Sequence, residues 1–393
     1  CQKVIMKDLT KKNILKLKQS STLVINEKCK KLINQGKKVY QFGFGQSPFP
    51  VPEAIVNTLK ENAHRKEYLP IQGLIKLRES ISKNLEKKIG INYPKENIVI
   101  TPGSKEAMLL LHVAFNGEII LSAPSWVSYE PQAIIGRNKV HWIQTTRENN
   151  WFPTAQQLEK KIRSIKKKNL IFIINSPNNP SGIVYDDDFY KEFSEILKKH
   201  ETLLNREIFV ISDEPYRRII FDDLDCPNIL DFHDNTIVAS SFSKDLAIPG
   251  ERIGYLGISP NIKNTEILMD GLVFANRVLG FVNAPAFMQR AISNILFNTV
   301  NIEEYLLRRN FLCDELGKLG YEFIIPKGAF YLFPKSPLDD DISFTKLLKE
   351  NNVLVVPGSG FGKKGYFRIS FCVDWDSIKG SISGFEKAIN SIN

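Results

Sequence analysis

The chain has 393 residues, of which 43% are hydrophobic and 24% charged, and its net charge is +10, from 53 Lys and Arg against 43 Asp and Glu. That length exceeds what one core usually serves, so about two domains are expected, and the composition excludes a low-complexity or disordered chain. No run of 18 apolar residues reads as a membrane span, and five cysteines without a C-x-x-C pair exclude a disulfide framework and fit a reducing, cytoplasmic setting.

The basic excess favours anionic ligands at long range. Its clusters, at 28–31 and 166–168, are flanked by apolar residues at helical spacing and read as solvated helix faces, so no nucleic-acid partner is expected. The five histidines are isolated and form no H-E-x-x-H, so no metal is expected. The N-terminus has no signal-peptide h-region.

In chain order, the first 45 residues are amphipathic, and a Pro- and Gly-rich stretch follows from Gly43 to Pro52. From about 98 to 260, apolar runs alternate with amphipathic stretches. Strands are expected at 98–101, 118–122, 140–145, 170–174, 208–211, 236–239 and 254–258. Helices are expected at 105–114, 154–167, 187–199 and 262–275. Several strands are apolar throughout, as strands covered on both faces are. The alternation predicts an α/β fold: a mostly parallel sheet sandwiched by helices, with active groups at the carboxyl ends of its strands. Helices at 284–296 and 302–319, short strands at 328–333, 353–356 and 366–371, and a closing helix at 377–392 form a smaller α+β unit. The N-terminal segment is expected to join it. This divides the chain into 1–48 (arm and part of the small domain), 49–285 (large domain) and 286–393 (small domain).

Four segments carry chemistry. Ser241-Phe-Ser-Lys244 leaves the strand at 236–239, and Arg252 follows eight positions later. A lysine there is either a surface charge or an amine for a Schiff base with an aldehyde cofactor, with the serines and the arginine holding its phosphate. Asn175-Ser-Pro-Asn-Asn179-Pro-Ser-Gly182 specifies a rigid turn. Asp213-Glu-Pro-Tyr216 ends another apolar strand. A carboxylate there caps a turn or pairs with a cation such as a protonated pyridine nitrogen, and Tyr216 is placed to donate to a ring hydroxyl beside it. Thr101-Pro-Gly103-Ser104-Lys105 opens a helix whose free N–H groups make an anion site or a simple cap.

In order and spacing these segments resemble the fold-type I pyridoxal-phosphate-dependent aminotransferases, the aspartate aminotransferase family. Further similarity lies in Tyr68-Leu-Pro-Ile-Gln-Gly73, Ala123-Pro-Ser-Trp126-Val-Ser-Tyr129, Pro326-Lys-Gly-Ala-Phe-Tyr331 and Phe367-Arg368-Ile-Ser370. The resemblance runs from about Leu17 to the C-terminus. It implies that Lys244 forms the Schiff base and moves the proton, and that Asp213 keeps the pyridine nitrogen protonated. Asn179 and Tyr216 would bind the ring hydroxyl, and Trp126 would stack on the ring. Ser104, Lys105 (through its backbone), Ser241, Ser243 and Arg252 would hold the phosphate. Tyr68 would reach the phosphate of a neighbouring subunit, which implies a homodimer with shared sites. Arg368 would clamp the substrate α-carboxylate, assisted by Asn179 and Gly45.

Aspartate and 2-oxoglutarate are the default substrate pair. Arg277 or the Ser20-Ser-Thr22 stretch is a candidate for the distal end of the pocket. The alternatives are a C–S β-lyase or a specialised biosynthetic aminotransferase on the same fold and, more remotely, an aminotransferase-like regulator. Two glycine-rich stretches, Gly43-Phe-Gly45 and Gly358-Ser-Gly-Phe-Gly362, lack the spacing of nucleotide-binding loops.

Overall fold

The computed structural model describes residues 9–17, 21–296 and 299–392. Its strands, in chain order, are β1 (Tyr40–Gln41), β2 (Ile98–Thr101), β3 (Glu118–Ala123), β4 (Val140–Gln144), β5 (Asn169–Asn175), β6 (Glu207–Asp213), β7 (Thr236–Ser241), β8 (Gly254–Ile258), β9 (Tyr331–Leu332), β10 (Val353–Leu354), β11 (Val356–Pro357) and β12 (Phe367–Ser370). Seven of them form one sheet in the order β2-β8-β7-β6-β5-β3-β4. From β7 through β4 all neighbours are parallel. Only β8 is reversed, antiparallel to both β2 and β7. The segment between β7 and β8 contains no crossover helix, so the chain doubles back there.

The apolar strands are covered on both faces, as expected. Ile171 and Ile173 of β5 face a core built with Met108 and Leu111 of the helix Ser104–Ala114 and Leu272 of the helix Thr265–Val278. The alternate residues Leu170, Phe172 and Ile174 face the helices Ala155–Ser164 and Asp187–Leu204 through Leu158, Ile162, Phe193 and Leu197. Burial on both sides is why β5 reads as one continuous apolar run.

The C-terminal region builds its own layer. β9, β12 and β11 form a small antiparallel sheet, and β1 pairs in parallel with β10. The N-terminal segment is thereby tied to the C-terminal region, as expected. Phe42 joins Tyr305, Phe344, Phe367 and Phe385 in the core beneath. Some elements differ in extent. The helix expected at 284–296 is Ala286–Ile292, entered through Pro285. The one expected at 262–275 runs Thr265–Val278, because Asn264 takes a left-handed φ of 56° and blocks extension backwards. The strand expected at 328–333 shortens to Tyr331–Leu332. No described helix is long and apolar enough to cross a membrane.

Candidate active site

The carboxyl ends of adjacent parallel strands deliver the chemistry to one place. Asn175 ends β5 and sits in register with Asp213, which ends β6; Asp213 in turn pairs with Ala239 of β7. Two residues further, β7 ends at Ser241, and the chain turns so that Ser243 and Lys244 follow beside it. These ends open into a cavity of about 530 Å³. Gly45, Ser104, Lys105, Trp126, Asn179, Tyr216, Arg252 and Arg368 complete its lining together with them. A larger groove of about 750 Å³ lies near the amino ends of β5 and β6, against Asn169 and Glu207, and holds none of these residues.

The Lys244 Nζ donates to the Gly45 carbonyl at 2.5 Å. Burial is the chief reason its amine is pushed down to about 8; Arg368, Arg252 and Lys105 act in the same direction, and Cys372 opposes them. A lysine near 8 is substantially neutral under mild alkaline conditions, which makes it a competent nucleophile.

Asp213 is 3% exposed. Its Oδ2 accepts from the Tyr129 hydroxyl at 2.6 Å, while its Oδ1 has no hydrogen-bond partner. Burial pushes its carboxyl up to about 7; the Tyr129 bond and, more weakly, the Ser104 hydroxyl oppose the rise, and Glu214 adds to it. A buried, half-satisfied carboxylate at a cavity wall is costly, and a cationic ring nitrogen would relieve that cost.

A second cluster suits a phosphate. Ser241 Oγ donates to Ser243 Oγ at 2.8 Å and also accepts from the Ser243 N–H at 3.2 Å. The helix Ser104–Ala114 begins beside them after Gly103, whose φ of 80° suits glycine. A Cβ at Gly103 would lie 2.7 Å from Arg252 Nη2, so the missing side chain makes room for the guanidinium. Arg252 is itself held by the Pro249 and Pro102 carbonyls at 2.8 and 3.2 Å. Together, the orphaned Asp213 oxygen, the lowered Lys244 amine and this cradle fit the acid, aldehyde and phosphate ends of pyridoxal phosphate.

Arg368 is 3% exposed and lies on β12. It donates to Asn179 Oδ1 and to the Gly43 carbonyl, both at 2.8 Å, and its guanidinium covers the Tyr331 ring at 4.5 Å. Asn179 is fixed from the other side, because its backbone N–H donates to Asn175 Oδ1 at 2.7 Å and Asn175 Nδ2 donates to the Asp213 carbonyl at 2.8 Å. Trp126 lies edge-to-face on Tyr129, with the Lys105 ammonium 5.1 Å from its ring centre.

Two expected residues are not brought to this cavity within one chain. Tyr68 is 98% exposed, and Arg277 is exposed on the helix Thr265–Val278. Of the Ser20–Thr22 stretch, Ser20 and the side chains of Ser21 and Thr22 lie outside the described residues. The sequence reading missed Tyr129, Asn175 and Tyr331. Tyr129 and Tyr331 stand in motifs that carry the resemblance, and Tyr129 opens the helix Tyr129–Ile135 three residues after Trp126. Asn175 ends its strand at the position where Asp213 ends the next one. That strand-end register was the available signal.

The chain matches the model of the family described as aminotransferase class I and II over residues 37–379. The aspartate aminotransferase of Thermotoga maritima is 29% identical, with 98% of this chain and all of that protein aligned. The aromatic-amino-acid aminotransferase 2 of Thermococcus litoralis is 30% identical over 89% of this chain and 92% of its own length. Among solved structures, an amino transferase from Eubacterium rectale superposes with a TM-score of 0.90 at 33% identity, covering 96% of this chain and 97% of its own. The Thermotoga maritima aspartate aminotransferase structure gives 0.87 at 29%, covering 97% and 100%.

Proposed function

The chain belongs to the class I and II aminotransferases, and from that premise we propose which of its residues do the work and on which substrates. It is a pyridoxal-phosphate-dependent transaminase. When bound, the cofactor supplies an aldehyde for amines and an electron sink for the charge left by loss of an α-proton.

Lys244 would give the amine that holds the cofactor and, once free, would take and return the substrate α-proton. Asp213 supplies the buried negative charge that keeps the ring nitrogen protonated. Asn179 and Tyr216 donate to the ring hydroxyl, and Trp126 covers one ring face. Ser104, the Lys105 backbone, Ser241, Ser243 and Arg252 hold the phosphate. Arg368 binds the substrate α-carboxylate as a fork, with Asn179 and the Gly45 backbone beside it. The observation that carries this assignment is the pairing of a Lys244 amine lowered to about 8 with an unpartnered Asp213 oxygen in one cavity.

Aspartate and 2-oxoglutarate are the pair that the cavity supports best. A dicarboxylate needs a second cation once Arg368 is taken up. Lys105 offers one from the lining, with its ammonium 5.1 Å from the Trp126 ring centre. Phe44, Trp126 and Tyr331 in the same lining favour aromatic amino acids as a second donor class, and the Thermococcus litoralis relative is named for these. A screen of amino donors against 2-oxoglutarate, pyruvate and oxaloacetate tests both: aspartate is expected to give the highest kcat/KM, and an aromatic donor ahead of it would reverse the order.

The enzyme acts as a homodimer that shares its sites. Exposed Tyr68, and the apolar residues Ile267, Phe274 and Val278 spaced along one helix, support a subunit contact that brings Tyr68 to the neighbouring phosphate site. The domains divide near residues 48 and 285, with the β1–β10 pairing returning the arm to the C-terminal unit. The compartment is cytoplasmic, in keeping with the free thiols Cys29, Cys226, Cys313 and Cys372.

A further inference from the structure

Tyr331 touches three parts of the site at once. Its hydroxyl lies 2.7 Å from that of Tyr216. Its ring lies under the Arg368 guanidinium. A Cβ added to Gly45 would collide with the same hydroxyl, so the loop that accepts the Lys244 hydrogen bond is moulded against it. Tyr331 is 2% exposed, and Phe330 and Tyr331 both pack edge-on against the Tyr216 ring at 5.3 and 5.5 Å.

We propose that Tyr331 is a positioning residue for Tyr216: it donates its hydroxyl proton to the Tyr216 oxygen and so turns the Tyr216 proton into the cavity. This rests on the cofactor reading of the site given above. The donor direction follows from the surroundings. A guanidinium on the ring face withdraws charge from Tyr331 and makes its hydroxyl the better donor. The phenol under the guanidinium is thereby the donor of the pair. Arg368 therefore reaches the ring-hydroxyl side of the site by two routes, directly through Asn179 and through Tyr331 to Tyr216.

The test is a pH titration of the holoenzyme's cofactor absorbance without substrate. Y331F keeps the ring under Arg368 and removes only the hydroxyl. Its titration midpoint is expected to rise by roughly half a pH unit, the scale of one net hydrogen bond. In a Y216F background, Y331F is expected to add no further shift. Y331L also removes the stacked ring and is expected to raise KM for every amino donor by more than Y331F does. A Y331F midpoint equal to wild type, or a shift that persists in full with Y216F, overturns the proposal. Wild-type holoenzyme with no pH-dependent band would overturn the cofactor reading and this inference with it; a normal wild-type band without a Tyr331 effect overturns this inference alone.

Discussion

The Tyr129 hydroxyl donates to Asp213 Oδ2 at 2.6 Å from inside the core, and both residues are at most 3% exposed. One carboxylate oxygen is thereby fixed while Oδ1 is left buried without a hydrogen-bond partner. The arrangement costs stability unless a cation completes it.

Asp213→Asn is expected to abolish transamination yet stabilise the cofactor-free protein at pH 8. The native carboxyl is raised from 3.8 to about 7. Its contribution to stability is therefore full below pH 4 and is lost as pH rises through 7. The amide removes that loss, which is on the order of a few kcal/mol at neutral pH. Thermal unfolding of both cofactor-free proteins from pH 5 to 8 checks this. The difference in Tm should widen with pH.

Tyr129→Phe removes the fixed partner of Asp213. Cofactor retention is expected to fall by roughly 10-fold, the scale of a hydrogen bond to a charged group. Equilibrium dialysis against free cofactor measures it. Affinity equal to wild type would mean that Tyr129 only fills space.

Attachment of the cofactor to cofactor-free protein is expected to accelerate with pH through about 8 and then level off. The cause is the lowered Lys244 amine, whose neutral fraction grows over that range. Stopped-flow absorbance at several pH values reads the midpoint. A rate still climbing at pH 10 would indicate an ordinary exposed lysine.

Arg368→Lys is expected to raise KM for every α-amino acid by about 10-fold or more, because one ammonium cannot replace a fork held by Asn179 and Gly43. Lys105→Ala is expected to weaken dicarboxylates selectively and leave aromatic donors nearly unaffected. Steady-state kinetics with aspartate and phenylalanine separates the two roles.

Much of this was legible in the sequence because the chemistry sits at strand ends. An apolar run that stops at Asp213 or Ser241 announces both a buried strand and a functional terminus, and alternate facing of β5 explains its unbroken hydrophobicity. The reversed β8 was not legible, because strand direction depends on the connection between β7 and β8 and not on any residue within the strand. Tyr129 and Tyr331 were missed for a related reason. Their partners, Asp213 and Tyr216, lie 84 and 115 residues away, and only the folded register brings those hydroxyls within hydrogen-bond reach. Tyr68 and Arg277 are exposed at the surface of the single chain, away from the cavity lining.

Lys244 is proposed as the residue bonded to the cofactor. Borohydride reduction of the purified holoenzyme, followed by peptide mass spectrometry, tests this directly. A reduced pyridoxal phosphate adduct is expected on the peptide that carries Lys244, and none in Lys244→Ala. An adduct on another lysine, or none on a yellow holoenzyme, would contradict it.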